Sequence, residues 1–259
     1  MKALIKVEKK MVKFVVAGVQ RTGSTLICSS LDSHPNIYCD GEAFKVKNWK
    51  KSNYPYVPDY GYLNYVEQSM LRRVLHLCYR KKPVEEYLND FFQKSAQKAV
   101  GFKLMYSHVK RFPTVVPYVK EHDFKIIHLE RKNILKVWVS TLGARQRGFH
   151  SQEKVGRIKI FVPLHNLRKR LDWLNDQSGK WKDIFSKSND YIHVEYESFV
   201  KDKPAQLGRL CDFLGVETQI LESNLKKLTS DDLSQVIENY DEVKKLLIGT
   251  PYHYCLDAE

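Results

Sequence analysis

The chain has 259 residues and a mass of 30.4 kDa, with 43 Lys+Arg against 30 Asp+Glu, a net charge of +13 and a pI near 9.4. Apolar residues make up 43% and charged residues 28%, a globular composition that excludes a largely disordered chain. No run reaches the roughly 18 apolar residues of a membrane span, and no segment has the length and cleavage pattern of a secretory signal, so a soluble protein is expected.

In chain order, residues 12–17 form a short, β-branched apolar run, the pattern of a buried parallel strand. A loop from Gly18 to Gly23 leads into a helix over 25–31, ended by Asp32, Ser33, His34 and Pro35. Residues 49–62, rich in tyrosine and proline, read as irregular. Helices are expected over 63–79 and 84–98, a second strand over 100–105, and a short helix over 113–121 with Pro113 in its first turn. A third strand over 124–129 precedes an amphipathic helix over 133–147. Two helices are expected between 164 and 187, and a fourth strand over 191–194. A helix over 204–214 closes at Gly215, and 231–247 is helical. Strands alternating with helices predict an α/β fold with a parallel sheet.

The five cysteines, Cys28, Cys39, Cys78, Cys211 and Cys255, are odd in number, widely spaced and form no CxxC. Free thiols in a reducing compartment fit this usage, and a cytoplasmic location is expected. The positive charge favours anionic partners without choosing among nucleic acid, an anionic membrane and a phosphorylated small molecule.

The segment Gly18-Val19-Gln20-Arg21-Thr22-Gly23-Ser24-Thr25 matches the phosphate loop GxxxxGK[ST] except that Ser24 holds the lysine position. Such spacing lets backbone amides curl around an anion while the following helix adds its positive end. The cation is Arg21, inside the loop, and no Asp ends the 124–129 strand to hold a metal. The loop therefore suits a nucleotide phosphate without a triphosphate–metal arrangement. Arg131, at the end of that strand, and Ser140, about two turns into the next helix, have the spacing to converge on one anion.

Gln20-Arg21-Thr22-Gly23-Ser24-Thr25-Leu26 resembles the 5′-phosphosulfate loop of sulfotransferases that use 3′-phosphoadenosine 5′-phosphosulfate (PAPS) and release adenosine 3′,5′-bisphosphate (PAP). Arginine in place of lysine, with Leu31-Asp32-Ser33-His34-Pro35 and Gly41-Glu42, is similar to the bacterial trehalose and nodulation-factor group. The resemblance runs from about Val12 to the C-terminus and is weakest over 45–99 and 149–181. It implies a P-loop-like three-layer fold, a central parallel sheet flanked by helices. It further implies one domain over 1–259, with variable acceptor-binding insertions at about 45–99 and 149–181. The donor site it implies comprises Gln20, Arg21, Thr22, Gly23, Ser24 and Thr25, with Arg131 or Lys132, together with Ser140, on the 3′-phosphate and Tyr196 by the adenine.

Sulfuryl transfer needs in-line geometry, charge stabilisation on the leaving phosphate and a base for the acceptor. Arg21 would stabilise the leaving group electrostatically, since arginine does not deprotonate. Glu42 matches the glutamate proposed as base in the trehalose-type enzymes, and His108 is the alternative base. Lys103 is read either as an active-site cation or as a snorkelling lysine, and His128 as a core histidine. The expected reaction moves a sulfuryl group from PAPS to a hydroxyl of a carbohydrate, glycolipid or small natural product, and no metal is required. Alternatives are N-sulfation of an amine or carbamoyl acceptor, a P-loop nucleotide kinase, which Ser24 opposes, and a non-enzymatic polyanion-binding protein. The last would need its basic residues gathered on one face, whereas here they are dispersed. Residues 54–62 and 144–150 are candidates for acceptor contacts. A small-molecule or carbohydrate acceptor is the expected partner, with no nucleic acid and no membrane span, and self-association is left open.

Overall fold

The computed structural model describes residues 10–45, 61–146, 159–187, 190–219 and 232–256. Five strands, β1 (Val12–Gly18), β2 (Ile37–Asp40), β3 (Ala99–Met105), β4 (Lys125–Glu130) and β5 (Tyr191–Glu195), form one parallel sheet in the order β2-β3-β1-β4-β5. β1 is central and almost wholly buried, which explains its unbroken apolar run. Side chains alternate between the two faces. Val15 and Ala17 join Phe102, Leu104 and Ile126 under a layer built from α2 (Tyr62–Glu67), α4 (Lys81–Gln93), α5 (Tyr106–Arg111) and α6 (Val115–Glu121). Phe14 and Val16 join Ile37, Ile127 and Val194 under α1 (Ser24–Asp32), α9 (Tyr196–Lys201) and α10 (Lys203–Leu214). A third cluster joins α7 (Ile134–Gln146), α8 (Leu167–Phe185), α11 (Leu233–Val236) and α12 (Tyr240–Leu247). The result is the expected three-layer α/β architecture.

The chain after β1 runs to β2 on one side, and the chain after β4 runs to β5 on the other. The crevice between their carboxyl ends is a topological switch point, where open parallel sheets bind ligands. In register, Gly18 lies beside Met105 and Leu129, Asp40 beside Phe102, and Glu130 beside Glu195. The turns after all five strands therefore share one edge.

Several elements differ from the sequence expectations. β2 is a fifth strand, too short at four residues to show periodicity. The helix expected over 63–79 is two, α2 and α3 (Met70–Cys78), broken at Gln68-Ser69. The two helices expected between 164 and 187 are the single nineteen-residue α8, whose Leu167, Leu171, Leu174, Trp181 and Phe185 are buried. Gly179 does not break it, because its open surroundings demand nothing of the backbone. The helix expected over 231–247 divides at Ile237, where the backbone pairs with Ile160. The short helices α5 and α9 were not expected. Gly215 closes α10 in the left-handed conformation as expected.

Candidate active site

The loop after β1 is shaped by its glycines. A Cβ on Gly18 would lie 2.7 Å from the Leu129 carbonyl oxygen, so only glycine lets β1 pass β4 this closely. Gly23 has φ +91°, and a Cβ there would meet the Tyr196 ring at 2.3 Å. Arg21 also lies in the left-handed region, at φ 71°, a conformation that costs a non-glycine residue about 1–2 kcal/mol. The Thr22 hydroxyl donates to the Val19 carbonyl at 2.7 Å, spending it on the loop itself. Ser24 is buried and opens α1, whose amino end points into the loop.

Arg21 reaches across the switch point, its Nε donating to Ser140 Oγ on α7 at 3.0 Å. Arg131, just past β4, lays its guanidinium 4.7 Å from the Tyr196 ring centroid and directs Nη1 to the Arg21 carbonyl at 3.5 Å. Its Nε lies 3.9 Å from Glu197, is buried, and has no hydrogen-bond partner among the described residues. Lys132 turns away and pairs with Glu195 at 2.9 Å, more than half exposed. Glu197 accepts from the backbone amides of Lys132 and Asn133, which occupies the amino end of α7 with a carboxylate from the chain itself. Gln20 reaches toward Ser107 at 3.5 Å.

On the other side of the loop, Lys103 projects from β3. Its Nζ donates to Glu42 Oε1 at 2.9 Å and to Thr25 Oγ1 at 3.1 Å. The second Glu42 oxygen lies 3.6 Å from His108 Nε2. His108 Nδ1 accepts the Met105 amide at 3.3 Å, so in the neutral ring the proton sits on Nε2, facing the carboxylate. Burial alone would raise the Glu42 carboxyl, but His108 and Lys103 together outweigh it and hold the group well below the usual carboxylate range. Burial lowers Lys45, with Glu42 opposing and Lys103 reinforcing that shift. Thr25, Cys28, Cys39, Gly41, Glu42, Lys45 and Lys103 line one small cleft. Immediately before it, burial pushes Asp40 up to about 6, against the Gly41 amide and with help from Asp32.

The donor-site and base candidates lie at this edge: Gln20 to Thr25 in the loop, Glu42 after β2, His108 after β3, Arg131 and Ser140 across the crevice, and Tyr196 after β5. Two are engaged in unexpected ways: Ser140 touches Arg21, and Tyr196 packs on the loop at Gly23. His128 is fully buried, hydrogen-bonded to Tyr106 and Tyr191 and pushed down to about 4 by burial. Lys103 is the residue that the sequence left undecided. A charge inside the apolar strand Ala99–Met105 needs a buried partner, and that is the signal it carries. Lys45 and Glu197 carried no distinguishing signal. Of the acceptor candidates, 54–60 and 147–150 lie outside the described residues, and Tyr62 and Ala144 are buried in the core.

A sequence model of the sulfotransferase family matches residues 14–219, most of the chain. The chain belongs to the sulfotransferase family. It is a sulfotransferase similar to nodulation protein H of Rhizobium meliloti, 22% identical over 248 residues covering 92% of each chain. Nodulation protein H of Rhizobium tropici is 23% identical over 247 residues, covering 92% of this chain and 90% of that protein. Among solved structures, a sulfotransferase from Alicyclobacillus acidocaldarius superposes with a TM-score of 0.51 at 16% identity, covering 95% of this chain and 94% of that one. That likeness concerns the fold of the sulfotransferase.

Proposed function

We propose that this sulfotransferase moves the sulfuryl group of PAPS to a hydroxyl of a carbohydrate, glycolipid or small natural product. The observation that carries the reading is the convergence of three charged groups on one loop: Arg21 within it, Arg131 beside it and Lys103 on its Thr25.

The donor's charges fit these residues. The loop amides, the amino end of α1 and Arg21 suit the 5′-phosphate. Arg131, whose buried Nε lacks a partner among the described residues, suits a second phosphate, and Ser140 lies within reach of the same crevice. The pairing of Lys132 with Glu195 supports Arg131 over Lys132 for that role. Tyr196 supports the loop and Arg131 from beneath.

In the reaction the acceptor oxygen attacks sulfur in line, the bond from sulfur to the bridging phosphate oxygen breaks, and the acceptor proton passes to a base. Glu42 suits the base by its place, an unprotonated carboxylate lining the cleft, and the same cations that hold it ionised weaken it as a proton acceptor. His108 suits a positioning role. Its Nδ1 accepts a backbone amide and its Nε2 faces Glu42, which leaves no lone pair for an acceptor. Lys103 touches the hydroxyl next to the position where the loop lacks its lysine, so it can supply the ammonium that Ser24 does not.

Calorimetry with PAP, 5′-AMP and ATP–Mg²⁺ in parallel tests the donor assignment. Binding of PAP well above that of 5′-AMP, without metal, is expected. Equal binding of PAP and 5′-AMP would remove the 3′-phosphate site, and preference for ATP–Mg²⁺ would overturn the donor.

A further inference from the structure

The helix α3 is assembled the wrong way round for a soluble surface. It has no buried residue. Met70 is 82% exposed, Leu71 67%, Val74 49% and Leu77 76%, with Tyr79 just beyond it at 60%. Among the described residues, eleven large hydrophobic side chains are exposed, and five of them fall in these ten positions. At 100° per residue, Leu77, Met70, Val74, Cys78 and Leu71 share an arc of about 120°. Arg72 and His76 point inward instead. Arg72 lies 3.8 Å from the Tyr65 ring centroid and donates to the Tyr65 carbonyl. Arg73 donates to the Glu67 carbonyl, and His76 is hydrogen-bonded to the buried Tyr62 hydroxyl at 2.8 Å. Single exposed leucines are ordinary, but a continuous apolar face held outward by polar contacts beneath is not.

The rim of the patch is basic. Arg73, Arg80, Lys81 and Lys82 are exposed around it, against the exposed Glu67 and the Glu85 that pairs with Lys81 at 3.6 Å, and α3 carries no acidic residue. A nine-residue helix, about 13 Å long, with an apolar outward face and cationic flanks has the chemistry of a segment lying in the headgroup layer of an anionic bilayer. A second copy of this chain fits less well. A two-fold contact through this face would set Arg73, Arg80, Lys81 and Lys82 against their own equivalents, on a chain already at +13.

We infer that the α3 face is a docking surface for anionic membranes. The helix that carries the surface is joined to the cleft through the core. The Tyr62 amide donates to the Ala43 carbonyl at 2.9 Å, and the Tyr62 ring packs on Phe44, so α2 and α3 are tied to the turn that follows Glu42. The inference does not depend on the donor or the base, because its test reads binding alone.

The test is flotation of the whole protein with phosphatidylcholine vesicles, with and without about a third phosphatidylglycerol. Two variants accompany it, Leu71→Ser with Leu77→Ser and Arg80→Glu with Lys82→Glu, each changing exposed side chains and each checked for an unaltered melting temperature. The wild type is expected to float with the anionic vesicles at least tenfold more than with the neutral ones, and each double variant to lose about tenfold. No flotation, or equal flotation with both vesicles, overturns the inference. So does flotation of the serine variant at the wild-type level, which would assign binding to net charge. Light scattering that finds a wild-type dimer abolished in the serine variant would assign the face to a second copy.

Discussion

Lys103 Nζ bridges Glu42 and Thr25, at 2.9 Å and 3.1 Å, and so links the candidate base to the candidate phosphate loop through one ammonium. The bridge gives Lys103 two separable effects. Against burial, it helps His108, the larger lowering influence, to hold Glu42 ionised, and it places positive charge where the loop lacks its lysine. In Lys103→Met the carboxyl loses a cation at contact distance, so its pKa rises. The acid limb of the kcat/KM profile should move to higher pH, while turnover at the plateau falls on the order of 10²-fold. A pH–rate series with wild type and variant checks both. An unmoved acid limb would mean that the ion pair does not control the titrating group.

Glu42→Gln keeps the shape and one acceptor oxygen of the side chain but cannot take a proton. Turnover should fall on the order of 10²–10⁴-fold, with PAP affinity within threefold of wild type. Calorimetry and single-turnover kinetics separate the two quantities. Turnover at the wild-type level would return the base role to His108.

Arg131 and Lys132 are neighbours in sequence with opposite surroundings, one stacked on Tyr196 beside the loop and the other paired outward with Glu195. Arg131→Ala should weaken PAP binding at least tenfold and narrow its preference over 5′-AMP. Lys132→Ala should change either affinity less than threefold. The reverse ranking would move the 3′-phosphate contact to Lys132.

Gly23→Ala tests whether Tyr196 sets the shape of the loop. The added methyl meets the ring at 2.3 Å on a backbone with φ +91°, and neither problem can relax without displacing Tyr196 or the loop. A stability loss of about 2–4 kcal/mol in denaturant unfolding is expected, together with at least tenfold weaker PAP binding. A variant with wild-type stability would show that the loop and Tyr196 separate easily.

Asp40 carries a cost that depends on pH. Burial raises its carboxyl from 3.8 to about 6, so between those values the folded state binds more protons than the unfolded state. Stability through this group therefore falls as pH rises from about 4 to 6, and the full cost persists above. Asp40→Asn removes the ionisation and keeps an acceptor for the Gly41 amide. The variant should gain about 1–3 kcal/mol relative to wild type at pH 7.5 and show little difference at pH 4. Melting temperatures at the two pH values check the sign. An equal gain at both would point to packing instead of ionisation.

The central strand, the glycine-bounded loop and its helix were legible in the sequence because they depend on neighbours along the chain: an unbroken apolar run, two glycines five residues apart, and a helix start. The resemblance of the same segment to sulfotransferases rests on that local pattern. β2 was not legible, since four residues show no periodicity and its pairing with β3 depends on residues some sixty positions away. The contacts of Lys103 and Ser140 were not legible for the same reason. Lys103 finds Glu42 61 positions away and Thr25 78 away, and Ser140 finds Arg21 119 away. A charged side chain within an apolar strand says that a partner must exist, because an unpaired buried charge is costly, but its identity is a property of the packed sheet edge. The outward apolar face of α3 belongs to the same class. Its periodicity is plain in the sequence, but periodicity cannot say which face of a helix meets the core, and the contacts of Arg72 and His76 turned the polar side inward.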